Sequence, residues 1–287
     1  MKKCLVTLTI GDEFKGFWNK YFKQTWDEYA ARHGYDIVAI DDYIDTSPKG
    51  TSRAPHWQKC LVLEHEEVKK YDHAVWVDAD ILINYHTAPC IVGDGGGDGI
   101  GCVSFAAQYP NPEKIDNVRK RELAASPAGW TADVQDLSYA QLYEKAGLSG
   151  DVDDMVNTGV LVMKPRQHAE FMRRVYDEGV ENKFSGKENI PLSYYLFKQG
   201  MVRPIDTRFN KLWDDSFFES YPFLQVANFR DDRRLSALCV TTAYHNAYFL
   251  HFLGGNTRNF VGLVMTEQYW EDAWRNIFNF FEAQKGE

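Results

Sequence analysis

The chain has 287 residues, 44% hydrophobic and 15% aromatic, enough for a sizeable core, with a formal net charge of −9. That balance disfavours a broad nucleic-acid footprint, which needs a basic face, but leaves room for a local groove or a basic pocket for one anionic ligand. Five cysteines, Cys4, Cys60, Cys90, Cys102 and Cys239, form no CxxC pair; an odd set of this kind fits a reduced, cytoplasmic chain better than a disulfide framework. The opening apolar run, Cys4 to Ile10, is short for a signal-peptide core. No run of about 18 apolar residues suggests a membrane span, so a soluble chain is expected, with peripheral membrane contact left open.

"CLVTLTI" reads as a short buried strand. "FKGFWNKYFKQTWDEYAARHG" carries aromatics at helical spacing, and Gly34 is a plausible C-terminal cap. "YDIVAI" is a second strand, "PHWQKCLVLEHEEVKKY" a second helix with Pro55 in its first turn, and "HAVWV" a third strand. This β-α-β-α-β order predicts a parallel, Rossmann-like half with right-handed crossovers. Further on, "VGDGGGDGIG" is a glycine-rich turn into the strand "GCVSF", and residues 107–135 read as a long surface loop. "LSYAQLYEKAG", "HAEFMRRVYDEG" and "IPLSYYLFKQG" read as helices; "TGVLVMK", "MVRPI" and "YFLHFLGG" as strands; "EQYWEDAWRNIFNFFEAQ" as a terminal amphipathic helix. No internal repeat or low-complexity linker interrupts the chain, so one α/β domain over 1–287 is expected, with an irregular second half.

Asp78 and Asp80, in "AVWVDADILI", follow the third strand. An unpaired buried carboxylate is expensive, so two of them at the end of an apolar run call for a cation or for a turn that they cap. Residues i and i+2 share one face of a strand, about 6.6 Å apart along the chain. The carboxyl edge of an open α/β sheet is where ligands bind. Two carboxylates with oxygen-rich partners suit Mg²⁺ or Mn²⁺, and such ions commonly leave positions open for phosphates.

At these residues the chain resembles the nucleotide-sugar glycosyltransferases of the GT-A fold with a D-x-D motif. "VNTGVLVMK", "RFNKLW", "FLHFLGGNTR", the opening "VTLTIGD" and "SRAPHWQK" extend the resemblance over most of the chain. It is similar to retaining families, those of xylosyl-, galactosyl- and mannosyltransferases and of glycogenin. The resemblance implies a mixed sheet with a nucleotide-sugar-binding half (1–105) and an acceptor-binding half with the C-terminal helix (106–287). It implies a metal set of Asp78, Asp80 and His251. It implies contacts to the nucleotide or its phosphates from Thr7, Leu8, Thr9, Arg53, Trp57, Lys59, Asp78, Gly254, Gly255 and Arg258. Glycines let backbone amides approach phosphate oxygens, and Arg258, one residue beyond the usual lysine position, would hold a diphosphate. Around the reacting sugar the resemblance implies Asp154, Asn157, Glu188 and Asn189, the last two replacing the usual acidic residue and glutamine.

The implied activity is Mn²⁺- or Mg²⁺-dependent transfer of a hexose or pentose from a uridine-based sugar nucleotide to a hydroxyl acceptor, with retention. Glu188 is the candidate nucleophile or electrostatic support; front-face attack is equally compatible. The acceptor class stays open among glycan, lipid-linked sugar, protein, metabolite or modified nucleic acid. Residues 107–135 and 214–236 are expected to face it, and the charged "FRDDRR" in the second reads as a solvated loop. Three other readings compete: a haloacid-dehalogenase-like phosphatase, a sugar-nucleotide pyrophosphorylase, and a catalytically inactive binding protein on the same fold. The phosphatase reading wants D-x-D on the first strand, and the pyrophosphorylase reading wants a glycine-rich basic loop where this chain has "TIGDEFKG".

Overall fold

The computed structural model describes residues 1–93, 97–109, 137–181, 187–253 and 255–266. Gly254, most of the 107–135 segment, part of the glycine-rich turn and the expected terminal helix lie outside them. The strands are β1 (Lys3–Leu8), β2 (Asp36–Ile40), β3 (His73–Val77), β4 (Ile81–Ile83), β5 (Ile100–Ser104), β6 (Val156–Met163), β7 (Val202–Pro204), β8 (Lys211–Leu212) and β9 (Phe249–His251). Helices Tyr139–Lys145, Pro165–Glu178 and Asn189–Lys198 form as expected, the first behind a capping box of Ser138 and Gln141.

Six strands make one mixed sheet in the order β2-β1-β3-β6-β5-β7. β1 runs parallel to β2 and β3, as the β-α-β-α-β pattern predicts, while β6 is antiparallel to both β3 and β5. Alternation along the strands buries both faces. Leu5, Val75, Val77, Val160 and Val162 pack with Trp18, Phe22 and Trp26. Cys4, Val6, Ala74, Trp76, Leu161 and Met163 pack with Trp57, Leu61, Phe171 and Met172. Full burial of a large aliphatic or Phe side chain contributes roughly 1.5–3 kcal/mol, so this double-sided packing is what fixes the sheet's edge.

A second sheet has the order β4-β9-β8. Its register sets Ile81 opposite His251 on one side and Leu212 opposite His251 on the other. β4 is pinned from three directions. The Trp26 indole N–H donates to the Ile81 carbonyl at 2.8 Å, the Ile83 amide donates to Thr25 Oγ1 at 3.2 Å, and the Tyr244 hydroxyl donates to the Ile83 carbonyl at 3.0 Å. The D-x-D turn therefore links the end of the large sheet to the start of the small one.

Four expectations need correction. The first helix is broken into Asp12–Tyr21 and Lys23–His33 at Phe22, whose φ is stretched to −111°; Gly34 does cap the second piece, at φ 68°. The break accompanies full burial of Phe22 and an edge contact between Trp18 and Trp26 at 5.6 Å. The helix expected from Pro55 to Tyr71 forms with Pro55 in its first turn, but it is a 3-10 helix and shorter, Pro55–Glu64, with Trp57 to Leu63 all buried. The "YFLHFLGG" strand is only Phe249–His251 and belongs to the small sheet. The 214–236 segment is a chain of short helical turns leading into the helix Arg233–His245, not a loop. Within "FRDDRR", Asp232 caps that helix, accepting the N–H groups of Arg234 and Leu235 at 2.9 and 3.1 Å. Among the described residues, no helix is long and apolar enough to cross a membrane.

Candidate metal and sugar-nucleotide site

Asp78 is the first residue past β3, and its N–H donates to the Gly159 carbonyl at 2.8 Å, so β6 holds it in register. Its Oδ1 accepts the Trp76 indole N–H at 2.8 Å and lies 3.2 Å from Lys59 Nζ. Its Oδ2 lies 3.8 Å from His251 Nε2. Asp80 is buried; its carbonyl accepts the Phe252 N–H at 2.9 Å. Asp80 Oδ1 lies 3.2 Å from His251 Nε2, and Oδ2 accepts from Arg258 at 2.8 Å. Burial would raise the Asp80 carboxyl, but His251 and Arg258 outweigh it and hold it down to about 2. One ligand atom from each of Asp78, Asp80 and His251 lies within 4.8 Å of the others.

The donor set fits a divalent cation on two further observations. Asn210 directs its amide N–H₂ at the carbonyl and Oδ1 of Asn157, both at 3.1 Å, so its own Oδ1 faces His251 Nδ1 at 2.9 Å and accepts from it. That hydrogen bond places the ring's other nitrogen, Nε2, at the two carboxylates, 3.2 Å from Asp80 Oδ1 and 3.8 Å from Asp78 Oδ2. Without a proton on Nε2 the imidazole presents a lone pair beside two carboxylate oxygens, a donor set suited to a divalent cation. Gly159 makes room for the ring: a Cβ there would meet His251 Cε1 at 2.4 Å.

Beneath Asp78 lies a second charged group. Lys59 and Glu188 are both almost fully buried, with Nζ 2.6 Å from Glu188 Oε1. Lys59 also donates to the carbonyl and hydroxyl of Thr158, both at 3.2 Å. The Thr158 hydroxyl, with one proton to give, lies 2.8 Å from Asn189 Oδ1 and 3.1 Å from Glu188 Oε1. Burial pulls the Lys59 ammonium down, but Asp78 and Glu188 more than offset it and leave it above the ordinary lysine range. Burial pushes the Glu188 carboxyl up, and Lys59 and His56 reverse this to a net lowering.

Among the solved structures this chain is similar to is a glycosyltransferase involved in glycosylation of the major capsid of PBCV-1. The two share 14% identity, with a TM-score of 0.52, over 91% of this chain and 98% of that one. The fold is of the GT-A glycosyltransferase type. The galactosyltransferase LgtC, in complex with donor and acceptor sugar analogues, gives 12% identity and a TM-score of 0.46 over 95% and 99% of the two chains. The bifunctional glycosyltransferase WbbM gives 12% and 0.49 over 96% of this chain and 51% of its own. No family model matches the chain, and no curated protein matches it by sequence.

Within the GT-A frame, the structure brings together Asp78, Asp80, His251, Arg258, Lys59, Glu188, Asn189 and Asn157, all named from the sequence. Thr7 and Thr9 lie at the same sheet edge, their buried hydroxyls without hydrogen-bond partners, and Leu8 lies between them. Gly255 opens the 3-10 helix Gly255–Leu263 that carries Arg258.

Other residues named from the sequence are engaged by the protein itself. Trp57 is fully buried in the core, and Arg53 stacks on it at 4.3 Å while donating to the carbonyls of Tyr176 and Gly179 at 2.6 and 2.7 Å. The pair latches the end of helix Pro165–Glu178. Asp154 Oδ1 accepts the amides of Ala106 and Met155 at 3.0 and 2.7 Å, which fixes the loop around it. Glu188 is buried, with Oε1 held by Lys59 and Thr158 and Oε2 without a hydrogen-bond partner among the described residues. Lys59 lies under Asp78, where it braces a ligand. Sequence reasoning missed Thr158 and the role of Asn210, although "VNTGVLVMK" and "RFNKLW" contain them.

Proposed function

We propose that this chain is a metal-dependent glycosyltransferase that moves a sugar from a nucleoside diphosphate sugar to a hydroxyl acceptor. The observation that carries the reading is the convergence of His251 Nε2 with Asp78 and Asp80 at the carboxyl edge of β3 in a GT-A fold. Two carboxylate oxygens and one imidazole favour Mn²⁺ or Mg²⁺, held by those three residues. When bound, such an ion neutralises charge on a leaving diphosphate as a Lewis acid. Uridine is the favoured base and Thr7 to Thr9 its cup, both on resemblance. Residues 1–105 would serve the donor and 106–287 the acceptor.

The chain's own residues supply orientation. Lys59 fixes the rotamer of Asp78, and Asn210 fixes the tautomer of His251. Asn157 and Asn189 are held rigid for a sugar by Asn210 and Thr158. Glu188 acts through Lys59, so retention by a front-face route, with the leaving phosphate taking the acceptor's proton, fits better than a covalent carboxylate intermediate. D-x-D after the third strand and not the first leaves the phosphatase reading without support. A donor screen with Mn²⁺, reading nucleotide release, tests the proposal. Release from one sugar nucleotide is expected and should be lost in Asp80→Ala; release unchanged in that folded variant would sink the metal assignment.

A further inference from the structure

Each aspartate of the cluster turns one oxygen inward toward His251 and one outward to a basic side chain. The two outer partners differ. Lys59 is 3% exposed and fully engaged by Glu188, Thr158 and Asp78. Arg258 is 30% exposed at its side chain, lies 5.6 Å from each of the rings of Phe14 and Phe17, and keeps a buried Nε–H without a partner. Lys59 is fixed; Arg258 is partly open to solvent and its Nε–H is unused among the described residues.

Charge sets the consequence. The carboxylates of Asp78, Asp80 and Glu188 against the cations Lys59 and Arg258 leave one net negative charge when His251 is counted as the neutral imidazole that ligates a metal. A dication alone would make this group net positive, with a guanidinium on one of its own ligands. Like charges this close repel strongly in a partly buried site. A diphosphate reverses the balance, and a guanidinium matches phosphate geometry well.

Resting on the reading above, we propose that Arg258 is the resident counter-ion of Asp80. It competes with the divalent cation for that carboxylate until a nucleoside diphosphate draws the guanidinium away. Arg258 is then a positioning residue that makes metal and diphosphate binding mutually reinforcing, and by linkage each ligand raises affinity for the other by the same factor.

The test is Mn²⁺ titration of wild type, Arg258→Gln and Arg258→Lys, followed by electron paramagnetic resonance of free Mn²⁺, without and with uridine diphosphate. Circular dichroism checks the fold of each. Without nucleotide, Arg258→Gln is expected to bind Mn²⁺ at least about fivefold more tightly than wild type, and charge-retaining Arg258→Lys to stay close to wild type. The gain in Mn²⁺ affinity on adding uridine diphosphate should shrink in Arg258→Gln. Unchanged or weaker Mn²⁺ binding by Arg258→Gln alone overturns the proposal, as does tightening in Arg258→Lys equal to that in Arg258→Gln. If Arg258→Gln does not fold, the same comparison is made with Arg258→Met. Mn²⁺ binding by none of the proteins, with or without nucleotide, overturns the metal reading itself and this inference with it.

Discussion

Asn210 Oδ1 lies 2.9 Å from His251 Nδ1 and, through its amide, ties that histidine to Asn157. The asparagine touches neither carboxylate, yet it decides which imidazole nitrogen faces them. Partners of this kind typically change metal affinity by 10- to 100-fold when removed. Asn210→Ala is therefore expected to weaken Mn²⁺ binding by about 10- to 100-fold while the protein stays folded. The measurement is a Mn²⁺ titration beside a urea melt; unaltered affinity removes Asn210 from the site.

Gly159→Ala tests the space behind the imidazole. The new Cβ would lie 2.4 Å from Cε1 and 2.7 Å from Nδ1 of a ring that is buried and hydrogen-bonded in place. Overpacking of this kind costs about 1–3 kcal/mol. A drop in urea midpoint with loss of Mn²⁺ binding is expected. An unchanged midpoint would show that the ring moves freely.

Lys59→Met leaves Glu188 buried without its cation. Breaking a buried pair from one side costs about 3–5 kcal/mol, whereas replacing both partners is far milder. Lys59→Met should destabilise strongly, and Lys59→Met with Glu188→Gln should recover part of the loss. A urea double-mutant cycle reads the coupling, and strict additivity would mean that the two do not act as a pair. On the proposed activity, Glu188→Gln should lower turnover much more than it weakens nucleotide binding.

Asp215 gives the pH test. It is 1% exposed, and burial raises its carboxyl to about 6 against the pull of Lys211, Tyr109 and Gln108. A carboxyl raised in the folded state opposes folding fully above about 6, and the opposition fades as pH falls toward the ordinary 3.8. Asp215→Asn should therefore stabilise the protein at pH 8, on the order of 2–3 kcal/mol, and make little difference near pH 4. Urea denaturation at both values checks this; a difference independent of pH removes the buried-charge account.

The site's edge was legible because alternation and strand order place Asp78 and Asp80 after β3 without any tertiary information. His251, Asn157 and Glu188 came from motif order, and their spatial convergence agrees. Lys59 was legible as a residue but not in its role, because its partner Glu188 is 129 positions away. The partners of Arg53 were hidden for a similar reason: the carbonyls of Tyr176 and Gly179 that it holds lie 123 and 126 positions away. The helix Arg233–His245 went unread because "FRDDRR" hides its start, where Asp232 acts as a cap. The π-helical turn Ser216–Ser220 has no local signature.

The turn from β3 to β4 passes from one sheet to the other, with Asp78 at the end of the large sheet and His251 in the small one. The cluster thus straddles a seam. Any ion that engages all three side chains is also a rivet between the two sheets. Its departure would loosen the joint that carries both the strand bearing His251 and the helical turn bearing Arg258, so stripping the ion would be felt as slack across the molecule as well as lost chemistry.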